Sequence, residues 1–130
     1  MMKIYFAGKK KVYADVNGYT VQTDQGIMAG GDADFPEPFT LFLASLGTCA
    51  GIFVKGFCDQ RQIPADKIYL TQEQKFDHAR KIIGKIDITI HIPADFPEKY
   101  EPALIQTASL CTVKRHLRED IEINVTTTRN

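Results

Sequence analysis

The run Phe39–Val54 holds 16 residues without a charge, and it constrains this chain more than any other feature. A segment so apolar must lie inside something. A membrane span needs about 20 such residues, and Lys55 interrupts the run, so the reading is a buried core helix. Proline is tolerated in a first helical turn, which predicts a helix from about Pro38 to about Arg61, stopping before Pro64. The helix is apolar nearly all round, so it is expected at the centre of the fold, covered on several sides. One small subunit has little material to cover it, which points to a homodimer. Gly47 and Gly51 form a small-xxx-small pair, the mark of close packing against another helix or a sheet.

The remaining segments alternate. Residues 2–7 and 11–16 read as strands, and Asn17-Gly18 is a two-residue hairpin signal because both residues tolerate positive φ. The return strand is Tyr19 to Thr23, and the Gly- and Asp-rich residues 24–35 read as a loop. Residues 66–77 form the next strand. Ile86, Ile88, Ile90 and Ile92 then alternate with Lys85, Asp87, Thr89 and His91, a strand with one buried face. Asp95-Phe-Pro-Glu98 resembles an N-cap with its capping-box partner and predicts a second helix to about Arg118. Ile121, Ile123 and Val125 close the chain as a strand. The order βββ–α–ββ–α–β predicts an α+β fold in a single domain spanning residues 1–130.

Net charge is zero, so no basic surplus points to nucleic acid. No apolar leader precedes the first lysines, and three cysteines is an odd number. A cytoplasmic location with reduced thiols is expected rather than a disulfide framework, and no membrane partner. Cys/His spacings suited to a metal are absent, as is a Gly-rich phosphate loop, so neither metal nor cofactor is expected.

The chemistry rests on Cys49 and Cys111, each placed by the periodicity inside an apolar helix. They are 62 residues apart, so any pairing is tertiary. If the thiols meet, they form a dithiol/disulfide couple. Cys58, nine residues after Cys49, points to the opposite helix face at about 100° per residue and reads as a core residue. Lys114 and Arg115 lie three and four residues after Cys111, where a helix would set them on its face to support a thiolate or an anion. Glu37, just before the first helix, reads as a cap favoured by the helix dipole or as a group that orients a site. Lys9-Lys10-Lys11 reads as a solvated hairpin end. Free cysteine also packs as a small hydrophobe, so inert core thiols stay open at this level.

Pro38 followed by Leu41-Phe-Leu-Ala-Ser-Leu-Gly-Thr-Cys49, Val21-Gln-Thr-Asp24 before a Gly-rich loop, and Cys111-Thr-Val113 with Leu117 together resemble the OsmC/Ohr superfamily. The texture is nearer its uncharacterised redox-protein branch than its two named branches. The resemblance implies an intertwined α+β homodimer with active sites near the subunit interface. It implies that Cys49 is the peroxidatic cysteine and Cys111 the resolving one, with an organic hydroperoxide as substrate and a dithiol as reductant. The hydroperoxide-resistance branch adds an arginine from the N-terminal hairpin and a glutamate ten residues before the first cysteine. Here Val16 and Phe39 stand at those positions, and no arginine precedes Arg61; Lys9–Lys11, Arg61 or Arg115 are the cations left to replace it. Three readings follow: a thiol peroxidase of the oxidative-stress response, a non-enzymatic module binding a hydrophobic or thiol-bearing small molecule at the dimer interface, or a structural dimer with core cysteines.

Overall fold

A computed structural model describes residues 1–117 and 121–130 of the chain. It divides into two compact units, Met1–Ala44 and Ser45–Asn130.

The first unit is an antiparallel sheet of β1 (Lys3–Phe6), β2 (Val12–Val16) and β3 (Tyr19–Thr23), in that order. Asn17 and Gly18 turn β2 into β3 with φ of 50° and 82°, as a primed turn requires. After β3 the chain folds round Asp24, whose side chain is fully buried. Its carboxylate accepts N–H bonds from Gln25, Asp32 and Asp34 and pairs with the Lys11 ammonium at 3.4 Å. Lys11 also meets Asp32 at 2.6 Å and Asp34 at 3.0 Å. The lysine run is therefore not simply a solvated hairpin end: Lys11 is only 15 % exposed and holds the acidic loop shut. One short 3₁₀ turn, Ile27–Ala29, interrupts the loop. The first turns of helix α1 (Pro38–Gln60) belong to this unit.

The second unit takes α1 onward from Ser45. The strands β4 (Tyr69–Asp77), β5 (Ile82–Ile92) and β6 (Glu122–Arg129) form a sheet in the order β4-β5-β6, the first pair antiparallel and the second parallel. Ile86, Ile88, Ile90 and Ile92 are all buried, so the alternation read from the sequence is the core face of β5. Fully burying such a side chain stabilises by roughly 1.5–3 kcal/mol. Against Ile90 and Ile92 pack Val54, Phe57 and Cys58 of α1 with Phe96, Leu104 and Ala108. The buried residues of α1, Leu46, Ala50, Val54, Phe57 and Cys58, recur every three to four positions. Within the single chain this is a stripe, and Ile52 on another face is 72 % exposed. At 23 residues α1 is long and apolar enough to cross a membrane by length and composition, a test that core helices also pass.

The second helix departs from expectation. It is not one helix from Asp95 but a 3₁₀ turn Glu98–Tyr100, α2 (Glu101–Ala108) and a four-residue α3 (Thr112–Arg115). Neither of the first two has a side-chain cap, and Asp95 is exposed. Pro97 opens the 3₁₀ turn and Pro102 stands in the first turn of α2, so the proline that starts the helix is the later one. The break before α3 follows from residues that favour caps and turns over helix interiors. The Ser109 hydroxyl donates to the Ile105 carbonyl at 2.8 Å, and Thr107 and Thr112 are β-branched. The expected end near Arg118 lies outside the described residues.

Candidate active site

That break sets the site. Cys111 is not in mid-helix; it is the N-cap of α3, with an extended ψ of 125°, and its sulfur accepts the Lys114 N–H at 3.4 Å. Its thiol has the Leu46 carbonyl of α1 as acceptor at 3.9 Å, which ties the cap to the helix that carries Cys49. Cys111 is 3 % exposed. Cys49, one turn beyond Leu46, is partly exposed.

The two thiols are free and interact with each other. Burial raises the Cys49 thiol, but the Val113 N–H, the Cys111 thiol and the Thr112 N–H outweigh it and hold Cys49 below the ordinary range. Burial dominates at Cys111 and pushes that thiol up, against the Lys114 N–H, with Cys49 adding to the rise. The pair is thus polarised: Cys49 is the more acidic thiol and Cys111 the less acidic one. A thiolate is the nucleophile in thiol chemistry, and a neighbouring thiol can condense with its oxidised form.

The other residues singled out in the sequence are placed as follows. Lys114 reaches Cys111 through its main-chain N–H, while its ammonium donates to the Ile123 carbonyl at 3.4 Å. Arg115 has an exposed side chain and gives its main-chain N–H to the Cys111 carbonyl at 3.1 Å. Breaking the helix at Cys111 removes the shared helical face that the spacing of these two cations suggested. Arg61 lies over the Phe57 ring at 3.6 Å and donates to the Phe57 carbonyl. Lys9 and Lys11 are engaged by Asp32. The Glu37 carboxylate accepts the Gly26 N–H at 3.1 Å. Cys58 is a core residue with its thiol raised by burial.

Asp24, Asp32 and Asp34 converge closely enough to hold a metal ion, but the Lys11 ammonium already takes the place a cation would occupy. The groups that sequence reasoning missed are main-chain ones: the Leu46 carbonyl and the N–H groups of Thr112 and Val113. The turn-forming residues Ser109 and Thr112 beside Cys111 were the signal for them.

A family model described as OsmC-like protein matches residues 31–126. Among curated proteins, no sequence matches the chain. Solved structures resemble it closely in fold. One is a Psychrobacter arcticus 273-4 protein provisionally described as an osmotic stress induced and detoxification response protein (TM-score 0.81, 17 % identity, 98 % of this chain and 94 % of that one). Another is an OsmC like protein from Mycoplasma pneumoniae (TM-score 0.77, 14 % identity, 99 % and 95 %). A third is an organic hydroperoxide resistance protein from Elizabethkingia anophelis (TM-score 0.69, 17 % identity, 99 % and 94 %). At these identities the likeness establishes the α+β fold.

Proposed function

The chain belongs to the OsmC-like protein family, and from that membership we propose that it is a cysteine-based thiol peroxidase that reduces organic hydroperoxides. The observation that carries the proposal is the polarised pair: Cys49 held below its ordinary range, with the Cys111 thiol among the groups that lower it, and Cys111 itself raised by burial. The Cys49 thiolate attacks the terminal peroxide oxygen. The O–O bond breaks, the alcohol leaves with a proton, and Cys49 becomes a sulfenic acid. The Cys111 sulfur then attacks the Cys49 sulfur, water leaves, and a disulfide joins the two. A dithiol reductant returns both thiols. Ile52 and Phe53, close to Cys49 in sequence, are apolar and suit an alkyl peroxide rather than hydrogen peroxide.

The functional molecule in this reading is a homodimer of single 1–130 domains in the cytoplasm. Support for a second copy comes from apolar side chains that one chain leaves bare: Ile52 on α1, and Phe6 and Tyr19, 88 % and 74 % exposed, on the first sheet.

Peroxide consumption by Cys49→Ser and Cys111→Ser variants tests the proposal. The first is expected to lose turnover, and the second to stop at a sulfenic acid that dimedone captures. Unchanged turnover in both would sink it.

One observation favours the binding-module reading. No arginine precedes Arg61, and Glu37 is engaged with the Gly26 N–H, so the arginine–glutamate device of the hydroperoxide-resistance branch is absent. Under that reading native mass spectrometry finds a co-purified small molecule, and peroxide leaves the thiols unchanged.

A further inference from the structure

The two-cysteine reading leaves open where the reductant strikes, and the following inference rests on that reading. A thiolate that opens a disulfide attacks one sulfur in line with the S–S bond and expels the other. Which sulfur is attacked depends on access as well as on the acidity of the leaving thiol. The two sulfurs here differ in access. Cys111 is 3 % exposed, and its sulfur lies among the main-chain groups of Leu46 and Lys114. In-line attack on it must come from the side away from Cys49, through packed main chain. Cys49 is partly exposed, and the line of attack on it comes from the side away from buried Cys111.

We propose that reduction enters at Cys49, with Cys111 as the leaving sulfur and the Lys114 N–H as the group positioned to receive it. The reductant thiolate forms a bond to the Cys49 sulfur as the S–S bond breaks, and Cys111 departs with the electron pair. The departing sulfur already has the Lys114 N–H at 3.4 Å. It then takes a proton, for which the Leu46 carbonyl is the acceptor at 3.9 Å. The second thiol of the reductant attacks the reductant's own sulfur in the mixed disulfide, releasing Cys49 as thiolate and the reductant as a disulfide. Two electrons pass in all. Acidity alone argues the other way, since burial raises Cys111 and the lower-pKa thiol leaves faster. Access decides, because leaving-group acidity only scales the rate of an attack that can take place.

The disulfide is made in the wild-type chain with diamide, so the test does not depend on peroxidase activity. Glutathione is added as a monothiol probe. Samples are quenched early with acid and N-ethylmaleimide, and adducts are mapped by mass spectrometry. Glutathione on Cys49 with maleimide on Cys111, in about tenfold or greater excess over the reverse, is the expected result. Glutathione on Cys111, or equal amounts on both, overturns the proposal. Failure of diamide to join Cys49 and Cys111 overturns it together with the two-cysteine reading. A diamide-made disulfide that opens at Cys49 in a chain inert to cumene hydroperoxide upholds the entry point and removes only the peroxidase.

Discussion

The Cys111 thiol donates to the Leu46 carbonyl at 3.9 Å, one turn before Cys49 on α1, and it also helps to hold Cys49 below its ordinary range. The α1 helix supplies one sulfur and the N-cap of α3 the other, and the two differ in burial and in the main-chain N–H groups they meet. That difference gives each thiol its own acidity, and the predicted chemistry follows from it.

Iodoacetamide alkylation as a function of pH reads this directly. Burial raises Cys49, but the N–H groups of Val113 and Thr112 and the Cys111 thiol lower it further. Its alkylation rate should reach half its plateau at a lower pH than that of an unstructured peptide cysteine. Cys111, raised by burial, should reach half-plateau above the peptide value in a Cys49→Ser chain. Cys49 titrating at or above the free-thiol value would contradict the polarised pair.

The loop around Asp24 tolerates no side chain at Gly31. A Cβ there would stand 2.0 Å from the Gln25 carbonyl oxygen and 2.8 Å from an Asp24 carboxylate oxygen. Main chain cannot move aside cheaply, so Gly31→Ala should destabilise the chain by about 1–3 kcal/mol. Chemical denaturation measures the loss. Gly51→Ala serves as a control within a single chain, because a Cβ there meets nothing within 4 Å. Equal stability of Gly31→Ala and wild type would show that the loop is not packed as described.

Lys11 makes that loop sensitive to acid. The Lys11 and Lys9 ammonium groups hold the Asp32 carboxyl down at about 2, against roughly 3.9 in an unfolded chain. The stabilisation is present above the unfolded value and lost as pH falls from about 4 through 2. In Lys11→Met the three carboxylates repel without their shared cation, so protonation relieves rather than weakens the loop. Hydrogen exchange over residues 24–34 should therefore show a protection gap between wild type and Lys11→Met that is wide at pH 7 and narrows towards pH 2. A gap independent of pH would assign Lys11 a packing role only.

Ile52 tests the proposed dimer. It is 72 % exposed on α1 in the single chain, so Ile52→Asp would be nearly neutral for a monomer. In the proposed dimer it buries an unpaired charge. Light scattering after size exclusion should show wild type at twice the chain mass of 14.6 kDa and Ile52→Asp shifted towards one chain. A wild-type monomer, or a dimer untouched by the change, would contradict packing through this face.

Much of the fold was legible in the sequence because its signals are local. The Ile86–Ile92 alternation, the Asn17-Gly18 turn and the charge-free start of α1 each report one element, and each stands where expected. The two cysteines were legible as candidates, and their meeting is a tertiary fact that spacing could not supply. The second helix is the least legible element, because Asp95, Pro97 and Glu98 imitate a cap, while Ser109 and Thr112, which break the helix, look helical in an apolar run. A single unbroken helix would set Lys114 and Arg115 on one face with Cys111; the break instead brings the Leu46 carbonyl to Cys111 and the Val113 and Thr112 N–H groups to Cys49. Main-chain groups leave no residue-type signature, and only the path of the chain reveals them. Lys11 was misread for a related reason: its three carboxylate partners lie 13 to 23 residues away, joined to it by the fold.

The most direct test of the central claim adds one equivalent of cumene hydroperoxide to the fully reduced protein and maps its thiols by mass spectrometry. A Cys49–Cys111 disulfide should form rapidly, more slowly with hydrogen peroxide, with Cys58 left free. Three free thiols after exposure to the organic peroxide would contradict it.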